Sequence, residues 1–123
     1  MKEILLIDDE NDFREILAFT LENSGFAVTE ADSGIKALEC MRNKSFDLII
    51  TDLLMPEMSG SELIKQVNIL DSSVKIIAVT GGGSISDKED LFKDYKAKGI
   101  DAILKKPFNT QQIITQITTL LNL

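Results

Sequence analysis

Five polar residues follow short apolar runs along the chain: Asp8, Asp9, Asp52, Thr80 and Lys106. If each run is a strand of one parallel sheet, these residues lie at the carboxyl ends of the strands. Open α/β sheets place their ligands and chemistry there. The spacing therefore predicts that three carboxylates, a hydroxyl and an ammonium group share one edge of a sheet.

Three carboxylates in one small space would favour a bound cation. Two like charges at about 4 Å cost on the order of 1 kcal/mol in water and several times more near a protein surface, so the cluster needs a cation or raised pKa values. The chain has no histidine and a single cysteine, Cys40, which excludes Ser-His-Asp and Cys-His catalysis and the usual zinc sites. A metal must be held by oxygen, which means Mg²⁺, Mn²⁺ or Ca²⁺, and Mg²⁺ suits carboxylates combined with phosphate oxygens.

The same side chains suit a phosphoryl group. Asp52 could act as a nucleophile and form an aspartyl phosphate. Lys106 could pair with one phosphoryl oxygen as a point charge, and the Thr80 hydroxyl could donate to another. Gly81 leaves room for an incoming group beside Asp52. A metal would neutralise the charge between the carboxylate and the phosphoryl group.

Each of these residues also has a purely structural explanation. The Asp8–Asp9 pair could cap a helix, Asp52 could be a turn residue, Thr80 is common at strand ends, and Lys106 could be a solvated surface lysine. The glycine run after Thr80 could be only a flexible loop. The functional hypothesis therefore depends on the coincidence of all these residues at one sheet edge.

Strands and helices are predicted to alternate five times along the chain. Such alternation indicates a doubly wound parallel five-stranded sheet with right-handed crossovers and helices on both faces. In the flavodoxin-like order 2-1-3-4-5 the first and third strands are neighbours, which brings Asp8 and Asp9 close to Asp52. The predicted strands span residues 4–7, 26–30, 48–50, 74–79 and 102–104.

Capping signals and helical periodicity predict the helices and their buried faces. Gly25 should stop the first helix. The expected N-terminal signals are Asp12 with Glu15, Ser33-Gly34, Ser59 with Glu62, Ser86 with Glu89 and Asn109 with Gln112. The residues expected to face inward include Phe13, Ile16, Leu17 and Leu21, then Ile35, Leu38 and Met41, then Leu63, Ile64, Val67 and Leu70, and finally Ile113, Ile114, Ile117 and Leu120.

Length and charge limit the class of protein. The chain has 123 residues and a net charge of −7, which predicts one domain over residues 1–123 and argues against direct nucleic-acid binding by it. No apolar run reaches membrane-spanning length and no signal peptide is visible. We therefore expect a cytoplasmic protein without a membrane partner, and Met1 directly before the first strand suggests a natural start.

The chain resembles the receiver domains of two-component response regulators, the CheY-like family, and is expected to be a single-domain member. The resemblance covers the whole chain. Its motifs are the pair Asp8-Asp9, the segment Asp52-x-x-Met55-Pro56-x-Met58-x-Gly60, the pair Thr80-Gly81 and the run Lys106-Pro107-Phe108.

The resemblance implies a function for each matching residue. Asp52 would accept a phosphoryl group from a histidine of a sensor kinase or phosphotransfer protein, and the domain would catalyse only its own phosphorylation and dephosphorylation. The other implied roles are direct Mg²⁺ binding by Asp9, Asp52 and the backbone carbonyl of Leu54, contact with the metal through water by Asp8, and binding of phosphoryl oxygens by Thr80 and Lys106.

The resemblance also implies a switch. Phosphorylation would shift a two-state equilibrium that a downstream target or output domain senses at the face of the fourth helix, fifth strand and last helix. The Lys106–Pro107 bond is cis in the family.

Three features depart from the family pattern. Ile103 stands where an aromatic residue usually moves inward, the span from Thr80 to Lys106 is longer by roughly one helical turn, and Leu54 and Gly82 are not polar. We expect a mobile segment in that span and, because Leu54 could shield the phosphoryl group from water, slow rather than fast loss of it. The alternative hypothesis is an interaction module with a receiver fold that works without phosphorylation.

Overall fold

A five-stranded parallel sheet forms the centre of the protein, and the computed structural model describes residues 1–53, 58–81 and 99–123 around it. The strand order is β2-β1-β3-β4-β5, which confirms the predicted flavodoxin-like order. Apolar residues on both sides of each central strand explain why the sheet is covered on both faces. The strands are β1 (Glu3–Ile7), β2 (Ala27–Ala31), β3 (Leu48–Asp52), β4 (Lys75–Thr80) and β5 (Ala102–Lys105).

Four described helices cover the sheet: α1 (Asn11–Asn23), α2 (Gly34–Asn43), α3 (Gly60–Leu70) and α4 (Thr110–Leu121). Side-chain caps start three of them as predicted. The Ser59 hydroxyl accepts from the Glu62 N–H, Ser33 does the same for α2, and Asn109 with Gln112 forms a reciprocal capping box. Each cap satisfies a backbone donor that the first turn would leave unpaired.

The start of α1 differs from the prediction. Its N-terminal boundary residue is Glu10, whose side chain makes no capping hydrogen bond, and Asp12 lies inside the first turn. Asp12 therefore acts near the positive end of the helix dipole rather than as a cap. The end of the helix agrees with prediction, since Gly25 follows the boundary residue Ser24 with φ of +96°, a conformation that glycine adopts without strain.

The two faces of the sheet carry separate cores. Residues of α2 and α3 pack on one face, for example Leu38 and Leu63, and residues of α1 and α4 pack on the other, for example Leu21 and Ile113. Helices on both faces confirm the predicted layers.

Three residues expected to face inward are exposed: Ile16, Ile35 and Leu70, at 69%, 51% and 42%. In α1 the buried line runs through Leu17, Ala18 and Leu21. Around the helix axis, Ile16 and Ala18 lie on opposite sides of Leu17, and only the Ala18 side is buried. Periodicity identifies the apolar side of a helix but not how wide the contact with the sheet is.

Several predictions lie outside the described residues. These are the helix expected from Ser86 to Gly99, its mobility, the length of its loop, and the effects of Leu54 and Gly82. Across residues 1–53, 58–81 and 99–123, the structure contains no helix with the length and apolar character required to cross a membrane.

Candidate functional site

Backbone hydrogen bonds continue the sheet pairing beyond the strand ends and fix the site residues there. The Asp8 N–H donates to the Ala31 carbonyl at 3.1 Å, and the Lys106 N–H donates to the Thr80 carbonyl at 2.8 Å. Asp52 is the last residue of β3 and pairs in register with Val79. Asp8, Asp52, Thr80 and Lys106 therefore lie at the same edge of the sheet, where the strands end, as predicted.

The Lys106 ammonium lies among three carboxylates. Its Nζ is 3.0 Å from Asp8 Oδ2, 3.2 Å from Asp52 Oδ2 and 3.2 Å from Glu10 Oε1. The exposed fractions of these side chains are 13% for Lys106, 2% for Asp8, 6% for Asp52 and 65% for Glu10. An ammonium has three N–H donors, so the three carboxylates can use all of them.

Burial and pairing shift two pKa values at this site. Burial raises the pKa of the Asp8 carboxyl above its usual 3.8, although the Glu10 N–H and Lys106 stabilise the ionised form. Burial alone would lower the pKa of Lys106. The hydrogen bonds and charges of Asp8, Glu10 and Asp52 outweigh that effect and raise the pKa above its usual 10.5. Lys106 is therefore a permanent cation at neutral pH.

The carboxylates form a set of oxygen donors that could hold a cation. One oxygen from each of Asp8, Glu10 and Asp52 lies within 4.8 Å of the other two. Hard oxygen donors of this kind suit Mg²⁺ or Mn²⁺. The structure brings Glu10 into this group, whereas the predicted ligand Asp9 is exposed and outside it.

Glu10 was not anticipated from the sequence. It continues the acidic run Asp8-Asp9, but nothing in the run indicates which members face the site. The entry of the chain into α1 decides this, since the Glu10 N–H donates to Asp8 Oδ1 at 2.9 Å. That short-range bond turns the chain so that Asp8 and Glu10 lie on the side of Lys106.

Arg14 supports the loop after β1. Its Nη1 donates to the Asp8 carbonyl at 2.8 Å and to Asn11 Oδ1 at 2.9 Å, and its Nε donates to Glu30 Oε1 at 3.0 Å. The Arg14 side chain is 12% exposed, and its three hydrogen bonds link α1, the loop and β2. No sequence pattern indicates this role, because it depends on the position of Glu30 in space.

The remaining predicted residues lie at this edge, within β5 or outside the described residues. Thr80 is half-buried at the end of β4, and a Cβ added at Gly81 would meet no atom of the described residues within 4 Å. Ile103 is half-buried on β5 and packs against the core beneath α2 and α3. The Lys106–Pro107 peptide bond is cis, as the resemblance implied. Leu54 lies outside the described residues.

Comparison with known sequences finds relatives that all belong to one family. The sequence model of the response regulator receiver domain matches residues 4–118. The response regulator receiver protein CpdR of Brucella abortus is 36% identical over 121 residues, covering 98% of both chains. The CpxR homolog of Haemophilus influenzae, a transcriptional regulatory protein, is 34% identical over 98% of this chain and 51% of its own. The chain spans about half the length of several curated relatives that it matches.

Solved structures agree with the sequence relatives. The chemotaxis protein CheY4 of Vibrio cholerae superposes with a TM-score of 0.88 and 31% identity, covering 98% of this chain and 99% of its own. This chain therefore belongs to the receiver domains of two-component response regulators, a family that accepts phosphoryl groups.

Proposed function

We propose that Asp52 accepts a phosphoryl group in a Mg²⁺-dependent transfer from a phosphohistidine of a sensor histidine kinase or phosphotransfer protein. The observation that carries this proposal is the position of the Lys106 ammonium, 3.2 Å from Asp52 Oδ2 and 3.0 Å from Asp8 Oδ2. A cation that already contacts the acceptor carboxylate can remain beside it as further negative charge arrives.

The transfer can be written with its bonds balanced. An oxygen of Asp52 would form a bond to phosphorus while the P–N bond of the phosphohistidine breaks, and the electron pair of that bond would stay with the leaving imidazole nitrogen. Lys106 would then pair with one phosphoryl oxygen, and the Thr80 hydroxyl would donate to another. The chain would catalyse only its own phosphorylation and dephosphorylation.

The carboxylates at this edge of the sheet would hold the metal. Asp8 and Asp52 lie in the group of clustered carboxylates, and the family resemblance adds Asp9 and the carbonyl of Leu54. Bound Mg²⁺ would neutralise charge between the attacking carboxylate and the phosphoryl group.

The phosphorylated domain would pass its signal to another protein or to an output domain. We assign the receiver to residues 1–123. We assign the signalling face to the helix predicted from Ser86 to Gly99, to β5 and to the last helix, α4. The Haemophilus relative is a transcriptional regulatory protein of about twice this length, which supports an output of this type. The net charge of −7 argues against direct nucleic-acid binding by the domain, and we place it in the cytoplasm.

The test is intact-mass analysis after incubation with acetyl phosphate and Mg²⁺. Wild type should gain one phosphoryl group, and the gain should disappear with a chelator and in Asp52→Asn. Asp32→Asn is the matched control, because Asp32 is an exposed carboxylate that pairs with Lys36 at 3.6 Å, whereas Lys106 pairs with Asp8, Glu10 and Asp52. An adduct that persists in Asp52→Asn would overturn the assignment of the acceptor.

One observation favours an interaction module that works without phosphorylation. β5 carries Ile103, half-buried, where the family usually has an aromatic residue. A folded wild type that gains no phosphoryl group from acetyl phosphate or from a phosphohistidine donor would make this second function the better one.

A further inference from the structure

The ring of Phe13 lies against the Lys106 ammonium. Nζ is 4.1 Å from the ring centroid and sits over the ring. A cation within about 6 Å of an aromatic face is attracted by the negative charge on that face, and the attraction grows when water is excluded. The Lys106 side chain is only 13% exposed, so the contact is largely shielded from water.

Phe108 holds the Phe13 ring in place. The two ring centroids are 5.8 Å apart and the rings are inclined at 85°, an edge-to-face arrangement that aromatic pairs favour. Phe13 belongs to the first turns of α1, whereas Phe108 lies two residues after Lys106. The aromatic pair therefore links α1 to the stretch of chain that carries the lysine.

The ring attracts the ammonium differently from the carboxylates. Asp8, Glu10 and Asp52 accept directional hydrogen bonds from Nζ, which uses all three donors of the ammonium. To hold a phosphoryl oxygen, the ammonium must give up one of these bonds. The attraction of the ring to the cation needs no particular N–H direction, so it persists while the hydrogen bonds are exchanged.

We propose that Phe13 is a positioning residue for Lys106, and that its ring keeps the ammonium beside Asp52 while a carboxylate partner is exchanged for a phosphoryl oxygen. The proposal rests on the proposed function, since it assigns Phe13 a part in phosphoryl transfer to Asp52. In this scheme Phe13 acts only through the lysine.

Three substitutions separate this role from simple packing. Phe13→Leu keeps an apolar side chain and removes the aromatic face, whereas Phe13→Tyr keeps the face. Phe19→Leu is the matched control, because Phe19 lies on the same helix but is 68% exposed. The initial rate of phosphoryl gain from acetyl phosphate and Mg²⁺ should fall roughly three- to thirtyfold in Phe13→Leu. It should stay within about twofold of wild type in Phe13→Tyr and Phe19→Leu.

A spectroscopic measurement tests the placement without any phosphorylation. Protons above an aromatic face are shifted upfield, so the methylene protons next to Nζ of Lys106 should show this shift in wild type, Phe13→Tyr and Phe19→Leu. The shift should disappear in Phe13→Leu. A wild type without the shift, or a Phe13→Leu variant with the rate of wild type, would overturn the positioning role.

The two proposals fail in distinguishable ways. A wild type that gains no phosphoryl group overturns the proposed function, and the role of Phe13 in transfer falls with it. A wild type that is phosphorylated normally while Phe13→Leu and Phe13→Tyr lose activity equally overturns only the inference, because that pattern indicates sensitivity to packing rather than to the aromatic face.

Discussion

The Lys106 ammonium and the Asp8 carboxylate form a shielded ion pair, with Nζ 3.0 Å from Oδ2 and side chains 13% and 2% exposed. The pair joins the loop after β1 to the chain after β5, although β3 and β4 lie between these strands in the sheet. One side chain thus ties together the carboxyl ends of strands that share no backbone hydrogen bonds, and it does so at the residues proposed to handle the phosphoryl group.

Lys106→Met should destabilise the metal-free protein, because it leaves buried carboxylates without their cation. Breaking a fully buried pair costs roughly 3 to 5 kcal/mol, and the partial exposure of Lys106 and Glu10 lowers the expected loss to about 2 kcal/mol. Urea unfolding in the presence of a chelator measures this loss. Lys36→Met is the control, since Lys36 is 63% exposed and its surface pair is worth less than about 0.5 kcal/mol. Equal losses in the two variants would contradict a special role for the Lys106 pairs. Added Mg²⁺ should restore more stability to Lys106→Met than to wild type.

The stability advantage of wild type over Lys106→Met should shrink at alkaline pH. The folded-state pKa of Lys106 is raised above its usual 10.5, so the folded protein holds this proton more tightly than the unfolded chain. The resulting stabilisation is complete below the unfolded value and is lost as the pH rises toward the folded value. Urea unfolding of both proteins from about pH 9 to about pH 12 should show the difference narrowing. A constant difference would refute the raised pKa.

Asp8→Asn should stabilise the metal-free protein at neutral pH and weaken Mg²⁺ binding. Burial raises the folded-state pKa of Asp8 above 3.8, so an ionised Asp8 costs stability at pH values above that folded pKa. The cost shrinks as the pH falls from the folded pKa toward the usual 3.8 and is gone below it, so the advantage of the variant should vanish over the same range. Thermal unfolding with a chelator at several pH values tests this expectation, with Asp32→Asn as the control. A less stable Asp8→Asn at neutral pH would show that pairing with Lys106 outweighs burial.

Asp9→Asn and Glu10→Gln should reveal which carboxylate the metal uses. The family resemblance predicts Asp9, and we expect Asp9→Asn to lower Mg²⁺ affinity by about tenfold or more. Glu10 is 65% exposed and pairs with Lys106, so Glu10→Gln should change the affinity by less than about threefold. Calorimetric titration with Mg²⁺ measures both. The reverse order would assign the metal to the clustered set of Asp8, Glu10 and Asp52.

The sequence by itself determined the sheet and the residues at its edge. Short apolar runs bounded by polar and turn residues favour buried strands, and strands that alternate with helical patterns favour parallel pairing. Since parallel strands end at one edge, the positions of Asp8, Asp52, Thr80 and Lys106 followed from where each run stops. The sequence also predicted Ser33, Ser59 and Asn109 as helix N-caps, because capping depends on residues only three positions apart.

Only the tertiary structure decided which neighbours these residues meet. Lys106 contacts Glu10 and Phe13, more than 90 positions earlier in the chain. No local sequence pattern predicts a contact between residues so far apart in the chain. The exposure of Asp9 and Ile16 depends on the angle at which α1 leaves β1 and on how closely the helix approaches the sheet. Local rules specify each element, whereas contacts between the ends of different elements arise only when the whole sheet is assembled.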